Sequence, residues 1–260
     1  CGAQNSFDEW LEKQSWYDTD DEYAVLFELM YDEASLRRAY VEGSLRDAHP
    51  GWGYAYLTNL LRHNVFNVVF TVNFDDLLNE ACYLYSDVRP LVCAHDSAVS
   101  GMRITSARPK IIKLHGDFLF DSIKNTVREL ETLESNMREK LKQFAREYGL
   151  VVVGYSGRDR SVMDVLDTLV RQDEYFKQGI YWCELEGEEK RGKRLSTLLR
   201  RDNVYLVKIA GFDELMAEIS HKAGCGLPRE VAEPLLVAEE KARLFTSLFM
   251  SKSKIINDDV

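Results

Sequence analysis

Asn73 and Asp75, two residues apart, and His115, followed by Gly116, supply a carboxamide, a carboxylate and an imidazole. Each group stands just past an apolar stretch, Val65 to Thr71 or Lys110 to Leu114, whose branched and aromatic residues read as a strand. Ligands of parallel-sheet proteins bind outside the carboxyl ends of strands. An imidazole titrates near neutral pH and can take a proton, while an amide and a carboxylate can hold hydroxyls, so the set suits chemistry at a ribose. A third apolar stretch, Val151 to Val153, breaks into Gly154, Tyr155, Ser156, Gly157, Arg158 and Asp159. Its glycines let backbone amides approach a ligand, and Ser156 can hydrogen-bond a ribose or phosphate where the next helix begins.

Each of these groups also has a plain structural reading. Asn73 and Asp75 can cap the helix that follows, His115 can be a satisfied structural histidine, and the turn at 154–159 can be a tight strand-to-helix connection. The catalytic reading requires Asn73 and His115 to face each other across one cleft, within ~10 Å, at the ends of neighbouring strands, and both side chains are expected at that cleft and not in the core.

The elements that must position them follow from hydrophobic periodicity. Residues 5–62 read helically, with apolar positions three and four apart, broken at His49-Pro50-Gly51 before a helix at 54–63. Strands are expected at 65–71, 88–93, 110–114, 150–155, 180–185 and 203–209. Helices are expected at 75–84, 127–148, 160–173, 189–201 and 212–222, and 230–249 reads as one further amphipathic helix. Apolar strands alternating with amphipathic helices predict an α/β fold, a Rossmann-like parallel sheet with helices on both faces plus a helical N-terminal layer. The expected organisation is a helical subdomain or lid at 1–62, the α/β domain at 63–226, and a helical connector or tail at 227–260.

Composition narrows the function classes. With 45% hydrophobic residues in 260, the chain can bury a sizeable core. A formal charge of −10 argues against nucleic-acid binding over the whole domain, and the basic run at 189–201 reads as a solvated outer face. No apolar stretch approaches the ~18 residues of a membrane span, so no membrane association and a cytoplasmic location are expected. Five cysteines without a Cys-x-x-Cys pair point to a reducing compartment and no zinc site; Cys93 and Cys183 read as small core residues. The chain opens on Cys1 without an initiator Met and is read as part of a longer polypeptide.

Taken together, Thr71-Val72-Asn73-Phe74-Asp75, Lys113-Leu114-His115-Gly116-Asp117 and Val153-Gly154-Tyr155-Ser156-Gly157-Arg158-Asp159, in this order, resemble the sirtuin-like domains of bacterial antiviral defence proteins. The resemblance implies a Rossmann-like domain that takes NAD as substrate, needs no metal, and cleaves the bond between nicotinamide and ribose. It makes Asn73 the residue holding ribose and attacking water, Asp75 a support of the pocket, and His115 the general base. Thr71, Gly116, Gly154, Ser156 and Asp159 would line the NAD site. It also implies a homo-oligomer and an activating partner, such as a HerA-type ATPase or a short Argonaute.

Two departures from that family stand out. Its glycine-rich phosphate-binding loop is only echoed by Cys1 to Ser6 and is expected upstream of Cys1. The zinc-binding cysteines of protein-deacylating sirtuins are missing, which favours a hydrolase over a protein deacylase or an ADP-ribosyl transferase. A catalytically silent nucleotide-binding or assembly module, keeping the same residues for folding or sensing, is the alternative of a different class.

Overall fold

The computed structural model of the protein describes residues 2–19, 21–115, 135–188 and 191–258, without the side chains of 2–6, 34 and 251–258. The chain opens with helices α1 (Gly2–Leu11), α2 (Glu22–Met30), α3 (Ala34–Leu45) and α4 (Trp52–Arg62). Strands and helices then alternate: β1 (Val68–Thr71), α5 (Leu77–Tyr85), β2 (Leu91–Cys93), α6 (Asp96–Ser100), β3 (Lys110–Lys113), α7 (Ser135–Glu147), β4 (Leu150–Val152) and α8 (Arg160–Val170). β5 (Ile180–Leu185), α9 (Lys193–Leu198), β6 (Val204–Ile209) and α10 (Phe212–Lys222) complete the α/β part, and α11 (Arg229–Ala232) and α12 (Pro234–Asp258) follow.

The fold is Rossmann-like, as the sequence predicts, with parallel pairing throughout and helices on both faces. The strands form two parallel half-sheets, ordered β2-β3-β1 and β4-β5-β6. Successive strand residues enter opposite cores, the period-two signature of a sheet buried on both sides. Ile112, Phe70 and Val152 join the core built on α7 and α8, whereas Ile111, Val69 and Val153 join the one built on α4, α5 and α10. Both half-sheets therefore share the same two helical layers. Trp182, 2% exposed, fills the centre of the first core.

Local chemistry explains where elements differ from expectation. β1 starts at Val68 instead of residue 65 because the Val65 amide donates back to Leu60 O at 3.0 Å, closing α4 through Asn64 at φ 55. β4 stops at Val152, and Gly154, at φ 66, turns the chain out of the extended conformation. The helix read at 127–148 is seen as Ser135–Glu147, its first residues lying outside the described ones. The single helix expected at 230–249 is instead split at Glu233, because Pro234 brings no amide to an incoming helix and is tolerated in a first turn. Helix α6 was not expected at all.

The basic segment is less free than its sequence suggests. Leu195 and Leu198 bury one side of α9, Arg194 donates to Arg158 O at 3.1 Å, and Arg191 donates to Glu184 at 2.7 and 2.6 Å. Lys208 adds a third bond to Glu184 at 2.6 Å. Arg191, then Lys208, hold this buried carboxyl down to about 2 from an ordinary 4.5. A depressed folded pKa contributes stability above pH 4.5 that is lost as pH falls toward 2. Glu184→Gln is accordingly expected to cost ~1.5–3 kcal/mol at pH 7. Thermal unfolding followed downward from pH 7 should show the gap to wild type closing between about 4.5 and 2.

Cys82, Cys93 and Cys183 are all buried, as the core reading requires of the latter two. Burial pushes the Cys82 thiol up to about 11, so it stays protonated and unreactive.

Candidate active site

β1 and β3 are hydrogen-bonded neighbours with Thr71 opposite Lys113. Asn73 and His115 each lie two residues beyond that pair, so the fold sets both at the same end of adjacent parallel strands. Leu114 N extends the ladder one step by donating to Thr71 O at 2.8 Å. The turn after β1 is held from below by Lys113. Its side chain, 1% exposed, donates from Nζ to Asp76 Oδ1 at 2.7 Å and to Phe74 O at 3.2 Å. A cation buried at the end of one strand thus fixes the loop that carries Asn73 at the end of the next.

Within that loop the residues differ in role. Asn73 is exposed, and its amide takes the Thr71 hydroxyl as acceptor at 3.0 Å. Asp75 Oδ1 accepts from Leu77 N at 3.0 Å, which starts α5 in the manner of an Asx turn. Burial, then the Asp75 charge, push the Tyr54 phenol above its ordinary range. Thr71, Asn73 and Asp75 line a cavity of about 450 Å³ that continues between β1 and β4; His115, Gly154, Ser156 and Asp159 are not part of its lining.

His115 is placed otherwise than expected. It is 5% exposed and belongs to a buried polar cluster instead of an open cleft wall. Its Nε2 lies 3.4 Å from Ser161 Oγ and 3.8 Å from Asp159 Oδ1. The Ser161 hydroxyl donates to Asp159 Oδ1 at 2.9 Å, so toward the imidazole it acts as acceptor. The imidazole can donate to that oxygen in the tautomer that carries its proton on Nε2. Histidine, hydroxyl and carboxylate form one relay.

Asp159 anchors the whole cluster. It is the N-cap of α8, accepting from Val162 N at 3.0 Å, and its second oxygen accepts from the Tyr155 hydroxyl. Burial, then the Asp159 charge, push the Tyr155 phenol far up, so it remains a donor. Gly154 and Gly157 make the intervening turn possible, at φ 66 and 68. A Cβ at Gly157 would meet Trp182 at 3.1 Å, whereas one at Gly154 would meet nothing within 4 Å, so Gly154 has open space before its backbone. Ser156 is exposed beside it. Gly116 lies outside the described residues. Among the described residues no group of three or more His, Cys, Asp or Glu is placed to hold a metal.

Comparison with known families matches residues 67–206, from the start of β1 to the middle of β6, to the SIR2-like domain. The chain belongs to the SIR2-like domain family. No curated protein gives a significant match. SIR2-like domains use NAD as substrate, and all three sequence motifs, at the ends of β1, β3 and β4, fall inside the matched range.

Three residues of this SIR2-like domain escaped the sequence reading. Lys113 was visible as part of a motif, but nothing in a single sequence shows that its ammonium reaches Asp76. Ser161 and Tyr155 meet His115 and Asp159 only through space. The available signal was local: an Asp followed three residues later by an apolar helical run marks an N-cap. An N-cap carboxylate has one oxygen left for other partners, here Tyr155.

Proposed function

We propose that this SIR2-like domain is an NAD+ hydrolase that releases nicotinamide and ADP-ribose, and that it is the effector of a bacterial antiviral defence system. The observation that supports the reaction most is the equal register of Asn73 and His115 beyond the paired ends of β1 and β3, with Ser161 and Asp159 behind the imidazole. In the reaction the bond between the nicotinamide nitrogen and ribose C1′ breaks, and its electron pair neutralises the pyridinium. Nicotinamide leaves as a neutral molecule and needs no general acid. Water adds to the oxocarbenium-like C1′ and gives its proton to the His115 imidazole. Asn73 orients that water and the ribose, and Gly154 and Ser156 offer backbone and hydroxyl groups to the rest of the dinucleotide. Thr71, Asp75 and Gly116 complete the proposed NAD site.

The defence role rests on the likeness of the three ordered motifs to defence-associated domains. An enzyme that destroys a common metabolite must be held off in healthy cells, which fits control by homo-oligomerisation or by an activating partner, such as a HerA-type ATPase or a short Argonaute. The test of reaction type is product analysis with and without an acylated peptide. A hydrolase consumes NAD unaided; a deacylase requires the peptide.

Asp159→Asn separates orientation from capping. Asn caps a helix nearly as well as Asp, so unfolding should shift little, whereas losing the charge behind the relay is expected to slow NAD cleavage by up to ~100-fold. Side-by-side rates and melting curves check it.

One observation favours the silent-module reading: His115 is buried with its Nε2 already engaged, as a purely structural histidine would be. NAD that survives unchanged in the presence of the activated wild-type protein would establish that reading.

A further inference from the structure

Helix α12 stands largely clear of the α/β part. From Ala238 to Met250 every residue is exposed, although a helix gains most of its stability from packing an apolar face. The ion pairs that tie α12 to α11 lie on its polar side. Arg229 of α11 donates to Glu233 Oε2 at 3.0 Å and to the two carboxyl oxygens of Glu240 at 3.0 and 2.6 Å.

The opposite side is apolar. Leu235, Ala238, Ala242, Phe245 and Phe249 recur at alternating steps of three and four, the spacing of a coiled-coil seam. At ~100° per residue the centre of this seam lies about 180° round the helix from Glu240. Leu235, Phe245 and Phe249 are 79, 71 and 64% exposed. The two phenylalanine rings stack along the helix with centroids 6.4 Å apart and form a ridge. Glu239 and Lys241 flank the seam, one on each side.

The sizes of the seam residues identify what covers them. Along the chain they run small, small, large, large: Ala238, Ala242, Phe245, Phe249. Reversed, that order is its own complement. In an antiparallel pair Ala242 meets Phe245 of a second copy and Ala238 meets its Phe249, so each layer holds one large and one small residue. A parallel copy would crowd ring on ring and leave alanine facing alanine. We propose that α12 pairs antiparallel with α12 of a second copy, about a two-fold axis that passes between residues 243 and 244.

The area suffices for such a pair. The rings, leucine and alanines of the seam offer roughly 450 Å² per copy, and with the methylene stems of Glu239 and Lys241 the pair reaches the roughly 1,000 Å² of a specific interface. The pairing stands whether or not the domain cleaves NAD.

Sedimentation equilibrium of the full-length protein over a range of concentrations tests this. Wild type is expected to associate two copies through α12. Phe245→Ala leaves a hole beside Ala242 of the second copy, and Ala242→Phe forces two rings into one layer. Each should raise the dissociation constant ~30-fold or more. The double variant Ala242→Phe/Phe245→Ala restores one large and one small residue to that layer and should return the constant to within severalfold of wild type. Thermal unfolding of dilute samples should not move, since both positions are exposed in a single copy. A wild type that does not associate at any concentration, or whose association neither single variant weakens, overturns the proposal. So does a double variant no tighter than the single ones, the result expected if a parallel copy or another part of the polypeptide covers the seam.

Discussion

His115→Ala in the full-length, activated protein is expected to lower NAD cleavage by ~100- to 10,000-fold, the contribution of a positioned general base. In the proposed reaction the imidazole receives the proton of water, and its partners Ser161 and Asp159 offer no basic nitrogen that could replace it. The substitution also has a structural cost. His115 is 5% exposed and contacts Ser161 at 3.4 Å, so its removal should cost ~1–3 kcal/mol by leaving the hydroxyl–carboxylate pair short of a partner. His115→Gln, which can still donate toward Ser161 but is not a base, should recover most of that stability and none of the rate. Initial rates of nicotinamide release and thermal unfolding of both variants check the pair; rates within severalfold of wild type in either would remove His115 from the mechanism.

Asn73→Ala should show the opposite balance. The side chain is exposed at the end of β1, and the hydrogen bond given to the turn comes from its backbone amide, which alanine keeps. Unfolding is then expected to move by no more than ~0.5 kcal/mol. If the carboxamide orients ribose and water, cleavage falls by ~100- to 1,000-fold, the size of losing one preorganised dipole at a developing charge. Saturation kinetics identify the kind of loss. A fall in kcat places the carboxamide in the transition state, whereas a rise in KM alone would make Asn73 a binding residue only.

The contrast between these residues shows what a single sequence can carry. Elements with strong local patterns read well: β5 at 180–185 and the helix at 212–222 were bounded as found. The strand ends that hold Asn73, His115 and Gly154 were legible because a branched apolar run followed by a small or polar residue is local information. The half-length of β4 was not, since it depends on what lies beside it; Val153 has the composition of a strand residue but faces the gap between the half-sheets. The surroundings of His115 were likewise hidden. Asp159 lies 44 positions further along the chain, and only the packing of α8 against the end of β3 brings its carboxylate behind the imidazole. For the same reason sequence reading put His115 at a cleft, where the fold buries it.

The proposed reaction places cleavage of the nicotinamide–ribose bond at the ends of β1, β3 and β4. The most direct measurement is chromatographic quantitation of NAD, nicotinamide and ADP-ribose after incubation with the full-length protein, with no peptide present and over a range of protein concentrations. Nicotinamide and ADP-ribose are expected to rise in equal amounts as NAD disappears, with the rate lost in Asn73→Ala. Intact NAD at every concentration, or cleavage that persists unchanged in Asn73→Ala and His115→Ala, would contradict it.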